Sequence, residues 1–259
     1  MKRIITLLLA AVFLFSLAGC TFQTKERALE LHEGALDSEF TALKLDVDVA
    51  QITVTPGDGF HVEYGLCNEP EIETAGDGTL TIREKAEEHW WDDIHFSQMI
   101  KPYLRVTVPE GTELGLVDVT VDVGDVEISQ LTLGALHVDA DVGDLKLQAL
   151  TVQGAAALSA DVGNMDCREM AVTGALTMEA DTGDIAFDGS AAGVDADTDV
   201  GNVSLLLPGA AADWAMTLET DAGDVTVDGL DQGKRYQTNG GQYRLEAETD
   251  TGDVEVEFK

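Results

Sequence analysis

The residues best suited to chemistry are the aspartates of a repeated pentapeptide, Asp-x-Gly-Asp/Asn followed by an apolar residue. Its seven copies are 19, 20, 20, 18, 22 and 29 residues apart and begin at Asp122, Asp141, Asp161, Asp181, Asp199, Asp221 and Asp250. The fourth residue of each copy is again an acid or an amide: Asp125, Asp144, Asn164, Asp184, Asn202, Asp224 and Asp253. If the copies stack about 4.8 Å apart, neighbouring carboxylates repel by roughly 1 kcal/mol even at the dielectric constant of water.

Two kinds of interaction can offset this repulsion, and the sequence is compatible with both. Asp and Asn side chains can accept backbone N–H bonds in turns, while water and monovalent ions screen the charge. Alternatively, the rows bind Ca²⁺, which takes six to eight oxygen ligands. The candidate calcium ligands are Asp122, Asp125, Asp141, Asp144, Asp161, Asp181, Asp184, Asp221 and Asp224.

The flanks of the motif predict that each copy joins two β-strands. Counted from its first Asp, positions −5, −3, −1 and +1 are mostly apolar, and so are +4 and +6, as in Leu136, Val138, Ala140, Val142, Leu145 and Leu147. Alternation with period two is typical of a strand with one buried face, so we predict that all six of these positions face the interior. The change of parity between +1 and +4 predicts a corner, and the glycine at +2 suits one because it has no Cβ.

A single unit of about 20 residues cannot bury its apolar face alone, whereas stacked units can. We therefore predict an all-β, single-stranded β-solenoid, a right-handed β-helix with about 20 residues per coil. A flat antiparallel sandwich is the alternative, but it does not explain why the glycine corner recurs. The solenoid is expected to cover residues 37–259, with irregular coils over 37–117 and regular repeats over 118–259.

The N-terminus predicts export and lipid attachment. Lys2 and Arg3 precede an apolar run that is too short to span a membrane comfortably, and Leu17-Ala18-Gly19-Cys20 follows it. These four residues resemble the lipobox of bacterial lipoproteins, which implies a signal peptide over residues 1–19 and lipidation of Cys20. Residues 20–36 would form a polar tether. An ordinary secretory signal with a chance cysteine is the alternative.

Composition restricts the partners of the chain. The formal net charge is −34, which disfavours nucleic acid and favours cations or basic partners. Between Asp118 and Asp231 there are 23 acidic residues and two basic ones, Lys146 and Arg168. With Cys20 assigned to lipid attachment, Cys67 and Cys167 remain, too few and too distant in sequence for a disulfide framework.

The order of these motifs resembles a known family. It runs from Pro56-Gly57-Asp58 through a glycine turn before Thr79 to Val108-Pro109-Glu110-Gly111, and then to the repeated Asp-x-Gly-Asp. This order is similar to the putative-adhesin domains of unknown function in bacterial cell envelopes, over roughly residues 37–258. The resemblance implies a β-solenoid in an extracytoplasmic setting, and it carries no catalytic residues.

No constellation typical of an enzyme is present in the sequence. There is no Ser-His-Asp set and no glycine-rich phosphate loop with its lysine. Paired carboxylates occur everywhere in the repeat, so no pair is singled out as the acid and base of a glycosidase. We therefore predict that the chain is not an enzyme.

Trp90 and Trp91 lie in a segment, residues 84–101, that departs from the repeat pattern. They either contact a partner, as tryptophans at interfaces do, or cover an open part of the solenoid; the second interpretation is favoured.

The sequence thus predicts a lipid-anchored envelope protein that binds or scaffolds without catalysis. Its expected partners are the membrane, through the lipid on Cys20, and an envelope protein or glycan, with no nucleic acid. No cofactor is expected apart from Ca²⁺. The alternative function is an acidic structural rod stabilised by Ca²⁺.

Overall fold

A computed structural model describes residues 31–84 and 101–259, and these residues form strands almost throughout. One 3-10 turn, Ala211–Asp213, interrupts them. Within the described ranges, no helix is long and apolar enough to cross a membrane. The predicted signal peptide, Cys20, Trp90 and Trp91 lie outside the described residues. The chain is all-β, as predicted.

The strands divide into an N-terminal group, a repeat group and a C-terminal group. The N-terminal strands are β1 His32–Leu36, β2 Ala42–Val49, β3 Gln51–Gly57, β4 His61–Leu66, β5 Pro70–Thr74, β6 Thr79–Glu84, β7 Tyr103–Pro109 and β8 Glu113–Leu114. The repeat strands are β9 Val117–Val123, β10 Val126–Ser129, β11 Thr132–Leu133, β12 Leu136–Val142, β13 Leu145–Gln148, β14 Thr151–Val152, β15 Ala156–Val162, β16 Met165–Val172, β17 Ala175–Thr182, β18 Ile185–Ser190, β19 Gly193–Val200, β20 Val203–Leu207, β21 Trp214–Ala222 and β22 Val225–Val227. The C-terminal strands are β23 Leu230–Gly233, β24 Arg235–Gln237, β25 Tyr243–Thr251 and β26 Val254–Phe258.

Equivalent strands of successive copies pair in parallel and in register, which gives a solenoid-like stack. Ala156 of β15 pairs with Leu136 of β12 on one side and with Leu176 of β17 on the other. The strands before the motif belong to an 11-stranded sheet, and those after it belong to a 15-stranded sheet. Buried side chains of both sheets share one hydrophobic core. Parallel in-register pairing fits the stacked arrangement and not the antiparallel sandwich.

The burial of the repeat follows the predicted alternation except at one position. Leu136, Val138 and Ala140 are buried before the corner, and Leu145 and Leu147 are buried after it, so positions −5, −3, −1, +4 and +6 face the core. The prediction was wrong for position +1. Its valines are about half exposed: Val123, Val142, Val162 and Val200. The alternation stops there because the chain has already reached the corner, where no opposite sheet covers the side chain.

The corner glycines are required by the close approach of neighbouring coils. A Cβ atom on Gly163 would lie 1.9 Å from the carbonyl oxygen of Gly143, and one on Gly143 would lie 2.1 Å from that of Gly124. The same contact, at 1.8–1.9 Å, recurs at Gly124, Gly183, Gly201, Gly252 and Gly223. The glycine is therefore fixed by the backbone of the adjacent coil, in addition to the bend of its own chain.

The order of coils in space differs from their order along the chain at the C-terminal end. The last coil, β25 and β26, lies between the coil of β19 and β20 and the coil of β21 and β22. The row of first aspartates therefore runs Asp181, Asp199, Asp250, Asp221. This order differs from stacking in the order of the sequence, which would place Asp250 at the end of the row beyond Asp221.

The N-terminal end has a similar exchange. The coil of β2 and β3 pairs with β9 and β10 on one side and with β6 and β7 on the other. Beyond it, β1, β4 and β5 add antiparallel strands. Residues 20–36 were predicted to be a polar tether. Of these, His32–Leu36 forms strand β1, which pairs with β4.

We expect Gly163→Ala to lower the free energy of unfolding by about 2–3 kcal/mol, since the added methyl group must displace the Gly143 carbonyl. Urea denaturation followed by circular dichroism measures the loss. Gly76→Ala is the matched control because a Cβ atom there meets nothing within 4 Å, and its effect should stay within about 0.5 kcal/mol. Equal stability of the two variants would contradict the glycine contact.

Candidate functional site

The exposed surface of the stacked corners is the candidate site, because each copy places the same three side chains there. The first acidic row consists of Asp122, Asp141, Asp161, Asp181, Asp199, Asp250 and Asp221. The valine row consists of Val123, Val142, Val162, Thr182, Val200, Thr251 and Ala222. The second acidic row consists of Asp125, Asp144, Asn164, Asp184, Asn202, Asp253 and Asp224. The sequence predicted both acidic rows; the exposure of the valine row was missed.

The second acidic row is a continuous hydrogen-bond ladder. The backbone N–H of Asn164 donates to Asp144 Oδ1 at 2.9 Å, and that of Asp184 donates to Asn164 Oδ1 at 2.9 Å. The bond is repeated along the row from Asp125 to Asp224, with donor–acceptor distances of 2.8–3.1 Å. Each side chain accepts the N–H of the adjacent coil and not one from its own turn. The sequence analysis allowed these side chains to accept backbone N–H groups in turns. They do accept backbone N–H groups, but the donors lie in the adjacent coil.

The two asparagines in the second row relieve the charge repulsion. Asn164 Nδ2 donates to Asp144 Oδ1 at 3.2 Å, and Asn202 Nδ2 donates to Asp184 Oδ1 at 3.1 Å. In the middle of the row, uncharged amides thus separate Asp144, Asp184 and Asp253. An amide supplies the oxygen that the next N–H needs without adding a charge.

Buried threonines support the same corner from inside. Thr198, Thr249 and Thr220 occupy position −1 and donate their hydroxyl groups to the carbonyl oxygens of Gly183, Gly201 and Gly252 at 3.1, 2.9 and 2.8 Å. Each of these bonds joins one coil to the preceding coil in space. They satisfy hydroxyl groups that would otherwise be costly to bury.

The first acidic row is exposed and electrostatically crowded. Burial, followed by the charges of Asp48, Asp141 and Asp46, raises the pKa of the Asp122 carboxyl. On the adjoining sheet face, the pKa of Asp197 is also raised, mainly by burial and then by Asp199, Asp195, Glu179 and Asp250. Within the described residues, no hydrogen bond or ion pair engages a first-row carboxylate; Asp221 accepts the Lys234 ammonium through its backbone carbonyl. The first row thus keeps its carboxylates available to a partner.

A buried carboxylate lies at the N-terminal end of the stack. Glu84 is 4% exposed, and its oxygens accept the backbone N–H groups of Asn68 at 2.6 Å and Asp48 at 3.0 Å. Burial raises the pKa of Glu84, although these two N–H groups oppose the shift. Burial likewise raises the pKa of the nearby Cys67 thiol to about 11. The sequence analysis missed this cluster, although Glu84 continues the inward positions of Leu80 and Ile82.

Two shallow depressions lie on the outer faces of the sheets, and both are acidic. One, of about 330 Å³, is lined by Asp166, Arg168, Asp188, Glu255 and Glu257 among others. Arg168, its one cationic lining residue, pairs with Asp166 at 2.6 Å, and the lining residue Asp188 pairs with Lys259. The other, of about 170 Å³, is lined by Asp195, Asp197, Glu219, Glu246 and Glu248 with Thr217 and Ala247.

Metal binding gains no support from the geometry. In the part of the chain that the structure describes, no group of three or more His, Cys, Asp or Glu side chains is arranged to hold a metal ion. In the second row, Oδ1 of Asp125, Asp144, Asp184 and Asp253 is already occupied by the next coil. Calcium binding by the predicted aspartates stays a prediction.

We expect Asn164→Asp to destabilise the stack by about 1 kcal/mol, because it removes the bond to Asp144 and places a third charge between Asp144 and Asp184. Thermal unfolding at low and high ionic strength measures the effect, and salt should reduce it. The matched control is Asp144→Asn, which keeps the acceptor oxygen and removes a charge, so its stability should be equal to or above that of the original chain. A loss in both variants, or in neither, would show that charge alternation is not important.

Comparison with known proteins places this geometry in a family. The model of the Toastrack DUF4097 family matches residues 40–193, and no curated protein matches the chain. Among solved structures, a putative adhesin from Bacteroides fragilis is similar at 17% identity and a TM-score of 0.47, covering 88% of this chain and 97% of its own. A putative cell adhesion protein from Clostridium sporogenes is similar at 14% identity and a TM-score of 0.34, covering 89% and 100%. A putative adhesin from Parabacteroides merdae is similar at 15% identity and a TM-score of 0.30, covering 89% and 96%. The family match extends over more than half of the sequence, from Phe40 through the first four Asp-x-Gly-Asp/Asn corners, and the chain therefore belongs to the Toastrack DUF4097 family.

Proposed function

We propose that this chain is a non-catalytic binding or scaffold module of the cell envelope, similar to adhesins, held at a membrane by lipid on Cys20. The observation that carries the proposal is the first acidic row: a line of exposed carboxylates on a hydrogen-bonded stack of coils, with which no side chain of residues 31–84 and 101–259 forms a hydrogen bond or an ion pair. A partner is bound by such a surface through charge and shape, without a reaction.

The stack is well suited to present a fixed surface. Parallel ladders and the hydrogen bonds of the second row join every repeat coil to its neighbour in space, and threonine bonds are added at three of these steps, so the row is regular. Little conformational entropy is then lost when a partner binds, which favours affinity. We also propose that the stack is a right-handed single-stranded β-helix with about 20 residues per coil.

The proposed anchor is consistent with the position of the first strand. β1 begins at His32, so a fully extended chain from Cys20 spans at most about 40 Å. The proposed location is extracytoplasmic, with the N-terminal end of the stack nearest the membrane. The acidic rows, being repelled by anionic headgroups, would then face away from the bilayer.

We expect Cys20→Ala to prevent lipidation and to move the protein from the membrane fraction to the soluble fraction of its host cells. Mass spectrometry of the mature N-terminus and fractionation followed by immunoblotting provide the measurement. Cys67→Ser serves as the control, since Cys67 lies in the folded domain and should not alter the fractionation. Continued membrane retention of Cys20→Ala would refute the anchor while leaving the binding function untouched.

We expect the combined substitution of Asp122, Asp141 and Asp161 by Asn to weaken retention on isolated cell envelopes by about tenfold or more, because three adjacent charges of the first row are lost. Retention of the purified chain on envelope preparations, measured against protein concentration, gives the affinity. The control replaces Glu69, Glu71 and Glu73 by Gln; these side chains are also exposed, and the charge change is the same.

Circular dichroism should show both triple variants folded, since neither set takes part in the ladder of the second row. An equal loss of envelope retention in the two variants would indicate that binding depends only on the net charge of the chain. Unchanged retention in both would contradict binding through the first row.

A further inference from the structure

Exposed apolar side chains are concentrated on one line of the molecule. Residues 31–84 and 101–259 contain five large hydrophobic side chains that are well exposed, and four of them belong to the valine row: Val123 at 46%, Val142 at 46%, Val162 at 50% and Val200 at 50%. The fifth, Leu230 at 66%, lies in the C-terminal hairpin strand β23. Single exposed hydrophobic residues need no explanation, whereas an aligned set marks an interaction surface.

The fold does not require valine at these positions. Thr182 pairs with Val162 on one side and with Val200 on the other, and Val200 pairs with Thr251. Thr182 and Thr251 are exposed in the same way as the valines. Threonine has nearly the shape of valine and a similar preference for strands, so a row of threonines would satisfy the same ladder and would be better solvated. The repeated choice of valine therefore indicates contact with something other than water.

The surroundings of the valine row specify the charge of that contact. The residue before each row member belongs to the first acidic row, and the residue two places after it belongs to the second. From Val123 to Val200 the line is thus bordered on one side by aspartates alone and on the other by three aspartates and two asparagines. A second copy of the chain would bring its own carboxylates against these and would be repelled, whereas a basic segment would be attracted on both flanks.

We infer that the valine row and its two acidic borders form a docking surface for a basic amphipathic helix of a partner protein, in which an apolar stripe is flanked on both sides by Lys or Arg. A helix presents this pattern because residues at i, i+3, i+4 and i+7 form one stripe with the flanking positions beside it. In an extended strand, alternate side chains point to the opposite face, so basic residues could not border the stripe on the same face.

The length of the surface agrees with a short helix. Val123 and Val200 are four coil steps apart, which corresponds to about 19 Å at about 4.8 Å per step. A helix covers that distance in about 13 residues, and its pitch of about 5.4 Å is close to the step between coils. Successive turns of the helix can therefore lie near successive members of the valine row, including Thr182. This inference rests on the proposed binding function and names the class of partner that the surface takes.

The test uses the full chain in its folded form and two synthetic helical peptides of about four turns. The first carries a leucine stripe bordered by lysines. The second has the same lysines with serine in place of leucine, so that it preserves the charge and removes the apolar stripe. The affinities of both peptides are measured by fluorescence anisotropy at about physiological ionic strength. The original chain should bind the leucine peptide at least about tenfold more tightly than the serine peptide.

The variant that tests the row replaces Val123, Val142, Val162 and Val200 by Thr, the residue already present at position 182. It should lose about tenfold or more in affinity for the leucine peptide and keep its affinity for the serine peptide. Leu230→Thr is the matched control, because within residues 31–84 and 101–259 it removes the one well-exposed large hydrophobic side chain outside the row, and its affinity should not change.

Equal binding of the leucine and serine peptides by the original chain would overturn the inference, and this comparison needs no variant to fold. An unchanged affinity of the folded quadruple variant for the leucine peptide would overturn it as well. If envelope retention still depends on Asp122, Asp141 and Asp161 in either case, the proposed binding function stands and only the valine row is excluded.

Discussion

The close contact between corner backbones in adjacent coils is the constraint on which the rest of this structure depends. With only hydrogen at the glycine Cα, one corner can approach the carbonyl oxygen of the next closely enough that a Cβ atom would overlap it. The same approach brings the N–H at position +3 within hydrogen-bond distance of the Asp or Asn side chain below it. The parallel register of both sheets follows, since every corner is aligned with its neighbour. A substitution at the glycine would therefore disturb both sheets and the second acidic row together.

This constraint also separates the two acidic rows by function. The second row is acidic because oxygen acceptors are needed at regular steps, and asparagine can replace aspartate there without loss of the bond. The first row has no such obligation within the described residues, yet its seven members are all aspartate. A need for hydrogen-bond acceptors cannot explain why every member of the first row is charged, because asparagine would meet that need as well. The first row and the adjoining valine row are thus the part of the corner whose chemistry is left for a partner.

The periodic part of the fold was predictable from the sequence, and the exceptions have physical causes. Alternation identified the buried positions around Ala140 because period two is a local property of strands. Extending it through the corner placed Val142 inside, where no sheet covers it. The neighbours of the last coil could not be predicted, because every corner offers the same contacts to the next one. From the sequence, the motif at Asp250 could stack beyond Asp221 as well as between Asp199 and Asp221. Glu84 was missed because its burial depends on N–H groups from two distant segments.

The exchange of coils at the C-terminal end has a consequence for the finished stack. Strands β25 and β26 follow β21 and β22 along the sequence, yet they lie between β19–β20 and β21–β22. The coil of β21 and β22 can therefore join the stack only once β25 and β26 have been synthesised, so this outer coil is held in place by the segment that follows it. Antiparallel strands then cover the exposed sides of β21 and β22, just as β4 and β5 cover the N-terminal coil. Ends closed in this way resist further addition of strands. Contacts with partners are consequently directed to the sides of the stack, where the first acidic row and the valine row are exposed along its length.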